Sequence, residues 1–284
     1  VLCFFTSDLH GSVERYDTLF GLIADERPGL VLLGGDLLPM AFAPPPDPAR
    51  PDFIRDFLAP GLDGLRGRLG GEFPAVVMIL GNDDPAVEEE AVLDVARSGL
   101  WHYAHNRRVA VGDLNVYGYS HVPPSPFMLK DWERYDVSRF VDPGSISPEG
   151  GRRSVLTEAR EIRYATIAGD LERLVGDDDV SGSIFLFHSP PYDTSLDRAA
   201  LDGRQVDHVP LDVHVGSIAI RRFIRARQPL ITLHGHVHES ARLTGSWTDR
   251  IGRTYLFGGA HDGPELALVR FDPERPDEAT RELH

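Results

Sequence analysis

Short runs of consecutive apolar residues punctuate the chain, separated by stretches in which apolar residues recur every three or four positions. The runs are Val1 to Phe5, Leu30 to Leu33, Ala75 to Leu80, Ile184 to Phe187 and Pro229 to Thr232. Each is too short for a helix and is bounded by turn-forming or polar residues, which predicts strands buried on both faces. After residues 1–6, Tyr16, Leu19, Phe20, Leu22 and Ile23 follow helical spacing, and Pro28-Gly29 should end that helix. A Pro-rich loop runs from Ala43 to Pro51, then Phe53, Ile54, Phe57 and Leu58 predict a second helix. A third should start at Pro85, with Glu88-Glu89-Glu90 near the positive end of its dipole.

The second half is less regular. Residues 101–104, 108–111 and 114–119 predict short strands, with Asp113 at the hairpin turn between the last two. Residues 121–153 are rich in Pro, Gly and charge and read as an irregular excursion, a lid or a contact surface. Thr157 to Val175 predicts one amphipathic helix with Ile162, Ile167, Leu171 and Leu174 inward. Asp177-Asp178-Asp179 reads as a solvated turn. A polar connection over 193–214 precedes a helix from Gly216 to Arg227. Ala241–Leu243, Thr254–Phe257 and Leu266–Phe271 predict further strands, and the last dozen residues are polar and expected to fray.

Strands alternating with helices indicate an α/β fold whose sheet is covered on both faces. Neither an internal repeat nor a separating linker is visible, so residues 1–284 read as a single domain with excursions near 121–153 and 193–214. No apolar run reaches the length of a membrane span. The strand-like start without a basic region predicts no secretion signal. The single cysteine, Cys3, falls in a predicted strand as a small core residue, and a reducing cytoplasm is the expected location. A net charge of −15 disfavours long nucleic acid as a partner but leaves room for a small anionic substrate if metal cations are held locally.

The candidate chemistry sits where strands end. In open α/β sheets ligands bind beyond the carboxyl ends of the strands. Asp8 and His10, Asp36, Asn82, His188, and His236 with His238 all occupy such ends, so distance in sequence does not keep them apart in space. Imidazole is the commonest metal ligand, and Gly235 lets the backbone bend ahead of His236. Each piece alone is common, whereas the ordered set is a far rarer coincidence.

The set Asp8-Leu9-His10, Gly35-Asp36, Gly81-Asn82, His188 and Gly235-His236-Val237-His238 resembles the calcineurin-like metallophosphoesterase superfamily. Longer stretches are similar to a bacterial and archaeal branch related to Icc-type cyclic-nucleotide phosphodiesterases: His188 to Tyr192, Val215-Gly216-Ser217, and Gly235 to Ser240. The resemblance implies a four-layer α/β/β/α sandwich of two mixed β-sheets flanked by helices, with a dinuclear metal centre. It implies one metal on Asp8, His10, Asp36 and His238, and a second on Asp36, Asn82, His188 and His236, with Asp36 bridging. Mn, Fe, Zn or Co suits such mixed oxygen and nitrogen donors. The implied reaction is hydrolysis of a small phosphodiester by a metal-bridging hydroxide. The alternatives are a phosphomonoesterase or a metal-binding scaffold with little activity.

One position departs from the family pattern. Members often carry a histidine after Gly-Asn, where this chain has Asp83. Three readings stay open: a leaving group that departs unaided, a different acid, for which His121 is the candidate, or a protein that mainly binds. Read without that role, His121 is an exposed loop residue. Asp83 and His121 are the catalytic candidates, and Asn82, Tyr192 and Ser240 are candidates for substrate contact, the last two flanking implied ligands. Asp193 and Glu239 are candidates for orienting the ligand histidines. His261 reads as a site neighbour, His208 and His214 as surface residues, and His234 as hydrogen-bonded in the core.

Overall fold

A computed structural model describes residues 1–40 and 52–284, so the predicted Pro-rich loop lies outside the described residues. The apolar runs form strands that sort their side chains by parity. In β1 (Cys3–Thr6), Cys3 and Phe5 face one way and Phe4 the other; β2 (Leu30–Gly34) and β3 (Ala75–Ile79) divide in the same manner. One set packs under α1 (Val13–Glu26), α2 (Ala59–Leu69) and α3 (Glu89–Arg97), together with a π-type turn at Ile54–Leu58. The other set meets a second sheet face to face. A strand buried on both faces needs apolar residues at every position, which is why these runs do not alternate.

The first sheet is completed by β4 (His102–Tyr103), and the second begins with the hairpin of β5 (Arg107–Val111) and β6 (Leu114–Tyr119). Helices α4 (Ala159–Tyr164) and α5 (Ile167–Val175) lead into β7 (Ile184–Phe187). A small hairpin of β8 (Gln205–Val206) and β9 (Val209–Pro210) interrupts the polar connection before α6 (Ile218–Arg227) and β10 (Ile231–His234). Then come α7 (Ser240–Thr244), β11 (Thr248–Ile251), β12 (Thr254–Gly258), β13 (Ala267–Asp272) and β14 (Arg275–Leu283). The sheet orders are β14-β13-β1-β2-β3-β4 and β11-β12-β10-β7-β6-β5. Both are mixed: β1, β2, β3 and β4 run parallel, as do β6, β7, β10 and β12, with antiparallel partners at the edges. Phe185 and Phe187 face α5 and α6, whereas Ile184 and Leu186 face the first sheet. The result is the expected four-layer α/β/β/α sandwich.

Three expectations fail locally. Ala241–Leu243 is helical, because three residues fit either periodicity and Gly245 at φ 75° stops the single turn. The helix expected over 157–175 breaks at Ala165-Thr166, where Thr166 is extended and caps α5 by accepting from Gly169 N. The break lets Ile167 N donate to Tyr135 O at 2.7 Å. The C-terminal residues do not fray: they form β14 at a sheet edge, where one face is solvated and polar side chains are no obstacle.

Candidate metal centre

The parallel strands of both sheets end on one side, and the loops leaving β1, β2, β3, β7 and β10 meet there. Asp8 N donates to Gly35 O at 2.9 Å and His10 N to Asp36 O at 2.8 Å, which stitches the first two loops together. The second sheet joins through Gly235 N, which donates to His188 O at 2.9 Å, and through His188 Nδ1, which donates to Gly34 O at 2.8 Å. Asp8, His10, Asp36 and His236 all have left-handed backbones, with φ of 57°, 46°, 52° and 74°. Such conformations are uncommon outside glycine and cluster at functional sites.

The seven side chains expected at the strand ends converge. Donor atoms of Asp8, His10, Asp36 and His238 lie within 4.8 Å of one another. His10 Nε2 is 3.2 Å from His238 Nε2, which in turn is 3.2 Å from Asp8 Oδ1. His188 Nε2 lies 3.0 Å from Asn82 Oδ1 and 3.2 Å from Asp36 Oδ2. The His236 ring is 5.3 Å from that of His188, centroid to centroid, and His236 N donates to the Asp8 carboxylate at 3.0 Å.

These contacts suit a cation. Two ring nitrogens face each other across His10 and His238, and His188 Nε2 faces two oxygens. His10 Nδ1 is buried without a hydrogen-bond partner, with Asp83 Oδ2 3.9 Å away. The electrostatics agree. Burial pushes the Asp8 carboxyl up, but the His238 hydrogen bond and the surrounding imidazoles outweigh it and hold it well below the usual range. Asp36 is likewise lowered, burial being outweighed by His188. Burial depresses His188 and His238, yet Asp36 and Asp8 raise them to about 10 and about 9. His236, dominated by burial and the neighbouring His188, falls to about 4. Carboxylates that stay ionised while neighbouring rings gain protons create a field that attracts positive charge.

Glycines make the close approach possible. A Cβ on Gly235 would sit 2.6 Å from Asp8 Oδ2, and one on Gly81 would collide with Asp36 Oδ1 and with His188 Cε1 at 2.7 Å.

The structure places the remaining candidates as follows. Asp83 is half-buried beside the cluster; its N donates to Asp36 Oδ1 at 2.8 Å, and burial and the Asp36 charge raise its carboxyl. His121 is not an exposed loop residue. It is only 6% exposed, enclosed by His105, Tyr119 and Trp132, and burial pushes its pKa well below the ordinary value. A ring held neutral in that way is a poor acid. Tyr192 OH donates to Asp212 Oδ2 at 2.8 Å, and Ser240 Oγ donates to Ser195 O at 2.6 Å, so both hydroxyls are committed within the protein. Asp193 and Glu239 do not orient ligand histidines: Asp193 pairs with Arg221, and Glu239 accepts from Ala200 N. His261 pairs with Glu265 at 3.0 Å, His208 is exposed on the β8–β9 hairpin, and His234 bonds Ser189 O and Thr232 Oγ1 in the core. His214 is not a free surface residue, since Asp197 holds its Nδ1 at 2.8 Å.

Sequence reasoning missed three supports. Asp84, fully buried, accepts from Leu37 N, Leu38 N and Gly81 N, clamping the Asp36 and Asn82 loops together; burial and Asp36 push it up to about 8. Ser7 Oγ donates to Asp8 Oδ2. Arg15 Nη1 donates to Asp8 O at 2.7 Å, and the same guanidinium reaches Gly263 O and Pro264 O. The signal available for Asp84 was a second carboxylate directly after a ligand-bearing strand end.

A family model for calcineurin-like phosphoesterases matches residues 3–240 of the chain. Among curated proteins no sequence matches. Two solved structures align with a TM-score of 0.58. TT1561 of Thermus thermophilus is 17% identical, and the other is 14% identical; each alignment covers 99% of this chain and 98% of the other. A dimetal phosphatase from Danio rerio is 14% identical, with 99% and 95% covered and a TM-score of 0.49. At such identities the two alignments at 0.58 speak for the fold alone.

Proposed function

The chain belongs to the calcineurin-like phosphoesterase family, and from that membership we propose that it hydrolyses small phosphodiesters with two divalent metal ions. As a family member it is a metal-dependent phosphoester hydrolase. The observation that carries the reading is the packing of the Asp8, His10, Asp36 and His238 donor atoms within 4.8 Å of one another.

In this reading Asp8, His10, Asp36 and His238 hold one ion, and Asp36, Asn82, His188 and His236 the other. Mn, Fe, Zn or Co fits these donors. When bound, divalent cations offset phosphoryl charge and acidify water. The chain's own contribution is orientation. The bond from His188 Nδ1 to Gly34 O fixes which ring nitrogen faces the cluster. Asp84 and the Asp8–Gly35 bond hold the loops at the distances the donors need.

A monoanionic diester is favoured over a dianionic monoester by the arginines flanking these loops. Arg15 is spent on carbonyls, Arg221 on Asp193 and two carbonyls, and Arg242 on Asp262. Each of the three already has partners within the protein. The net charge of −15 argues against long nucleic acid as substrate. The described helices include none long and apolar enough to cross a membrane. We place the protein in the cytoplasm on the strength of its lone, buried cysteine.

The test is hydrolysis of bis-p-nitrophenyl phosphate with added Mn²⁺, against p-nitrophenyl phosphate and against His188→Ala. The reading expects Mn²⁺-dependent turnover, faster on the diester, that is lost in the variant. Equal background rates in both proteins would overturn it, and preference for the monoester would replace the diester assignment.

A further inference from the structure

Breaking a phosphoester of an ordinary alcohol releases an alkoxide, which needs a proton. Among the twelve histidines, four belong to the metal cluster. His105 and His234 have both ring nitrogens bonded, and His121 is buried and held neutral. His102 is exposed on β4, His208 is exposed in the β8–β9 turn, and His284 pairs with Glu282 beside β14. His261 pairs with Glu265, a carboxylate 47% exposed that holds it loosely.

His214 differs from all of these. Its Nδ1 donates to Asp197 Oδ1 at 2.8 Å, and Asp197 is completely buried. That carboxylate also accepts from Asp193 N, Thr194 N and Gly216 N, so it is locked in place. A Cβ on Gly216 would come within 2.8 Å of Asp197 Cβ, which shows how tightly the loop wraps it. With Nδ1 fixed on a carboxylate, Nε2 is the nitrogen left to exchange a proton. The side chain is 27% exposed, and Asp193 Oδ1 lies 3.9 Å from Nε2. The other groups facing the ring are Tyr192, at 5.9 Å between centroids, and Asp212, which accepts from His214 N.

The segment carrying the pair is pinned to two ligand loops. Tyr192 N donates to Ser217 O beyond His188, Ser240 Oγ donates to Ser195 O, and Ala200 N donates to Glu239, next to His238. Arg198 and His214 face each other in an antiparallel bridge. The pair therefore stands in the wall that joins the His188 loop to the His238 loop.

We propose that His214, oriented by Asp197, donates its Nε2 proton to the departing alcohol oxygen. The step rests on the phosphodiesterase reading above. Water adds to phosphorus, and the P–O bond to the alcohol breaks with its electron pair going to oxygen. The Nε2 proton converts that oxygen to neutral alcohol, leaving imidazole with Nδ1–H on Asp197. The proton lost by the attacking water returns through solvent to Nε2.

The test compares the Mn²⁺-loaded wild type with His214→Gln on methyl p-nitrophenyl phosphate and methyl phenyl phosphate. General acids contribute ~10²–10⁴-fold where the leaving group is poor, so the ratio of kcat/KM between the two substrates should widen by at least about tenfold. Metal content and melting temperature should match the wild type, and imidazole should restore turnover in His214→Gly. A parallel loss on both substrates, unchanged rates, or a fall in metal content would each overturn the proposal. A wild type inactive on both esters would instead overturn the phosphodiesterase reading, and His214's role with it.

Discussion

Asn82 Nδ2 donates to Asp83 Oδ1 at 2.9 Å, and this bond turns Asn82 Oδ1 toward His188 Nε2, 3.0 Å away. An amide can present either oxygen or nitrogen, and only oxygen binds a cation. Asp83 thus decides which atom of Asn82 faces the cluster. Removing a partner that orients a ligand typically costs 10–100-fold in metal affinity. Asp83→Ala should weaken Mn²⁺ binding by about that factor, read by calorimetric titration of metal-stripped protein. Binding as tight as in the wild type would show that Asn82 needs no orienting partner.

Gly81 and Gly235 are small because the cluster leaves them no room. Gly81→Ala drives a methyl into Asp36 Oδ1, and Gly235→Ala drives one to 2.6 Å from Asp8 Oδ2. Overpacking of this kind costs about 1–3 kcal/mol. Because the displaced atoms are donors, Mn²⁺ affinity should fall along with stability. Gly64 on α2 has nothing within 4 Å of its Cβ position, so Gly64→Ala is the control that should do neither. Denaturant melts with and without Mn²⁺ read both effects.

Metal should stabilise the fold through the same carboxylates. At a Mn²⁺ concentration 100 times Kd, linkage contributes about 2.7 kcal/mol. For a chain of 284 residues that is roughly 4–5 °C in Tm. Asp36→Asn replaces the carboxylate reached by both halves of the cluster, and its Tm should no longer rise with Mn²⁺. A full metal-dependent shift in that variant would place the binding site elsewhere.

That the seven strand-end side chains would meet was legible because each follows an apolar run that can only be a buried strand, and buried parallel strands deliver their exits to one side. Parity explains the sandwich as well: Phe4 and Phe5 read alike in sequence but face different layers. What escaped was anything set by contacts across irregular chain. His214 and Asp197 are 17 positions apart in a segment without periodicity, so no spacing rule pairs them. His121 looked exposed because its loop is polar, yet Trp132 and Tyr119 fold over it. β14 was hidden by its composition, since an edge strand draws on backbone pairing with β13 more than on apolar side chains.

Within the irregular excursion, Lys130 and Glu133 form an ion pair whose side chains are 0% and 1% exposed. Glu133 also accepts from Ser125 N at 2.8 Å, and Lys130 Nζ donates to Ser125 O at the same distance, while Arg153 bonds the Lys130 carbonyl nearby. Breaking a buried pair by removing one partner costs roughly 3–5 kcal/mol, because the remaining charge is stranded. Lys130→Met should therefore destabilise the protein, approaching that figure only where pH is high enough to ionise Glu133. The pH dependence has a definite sign. Burial raises Glu133 from 4.5 to about 7 even with the ammonium beside it, and losing that ammonium raises it further. A raised folded pKa means that this group's contribution is intact below about 4.5 and is lost as pH climbs through the folded value. The gap between Lys130→Met and wild type should accordingly be smaller at pH 5 than at pH 8, with the widening coming above about pH 7. Urea melts at the two pH values measure it; a gap that stays constant or shrinks as pH rises would mean that Glu133 is not left charged and alone when Lys130 is removed.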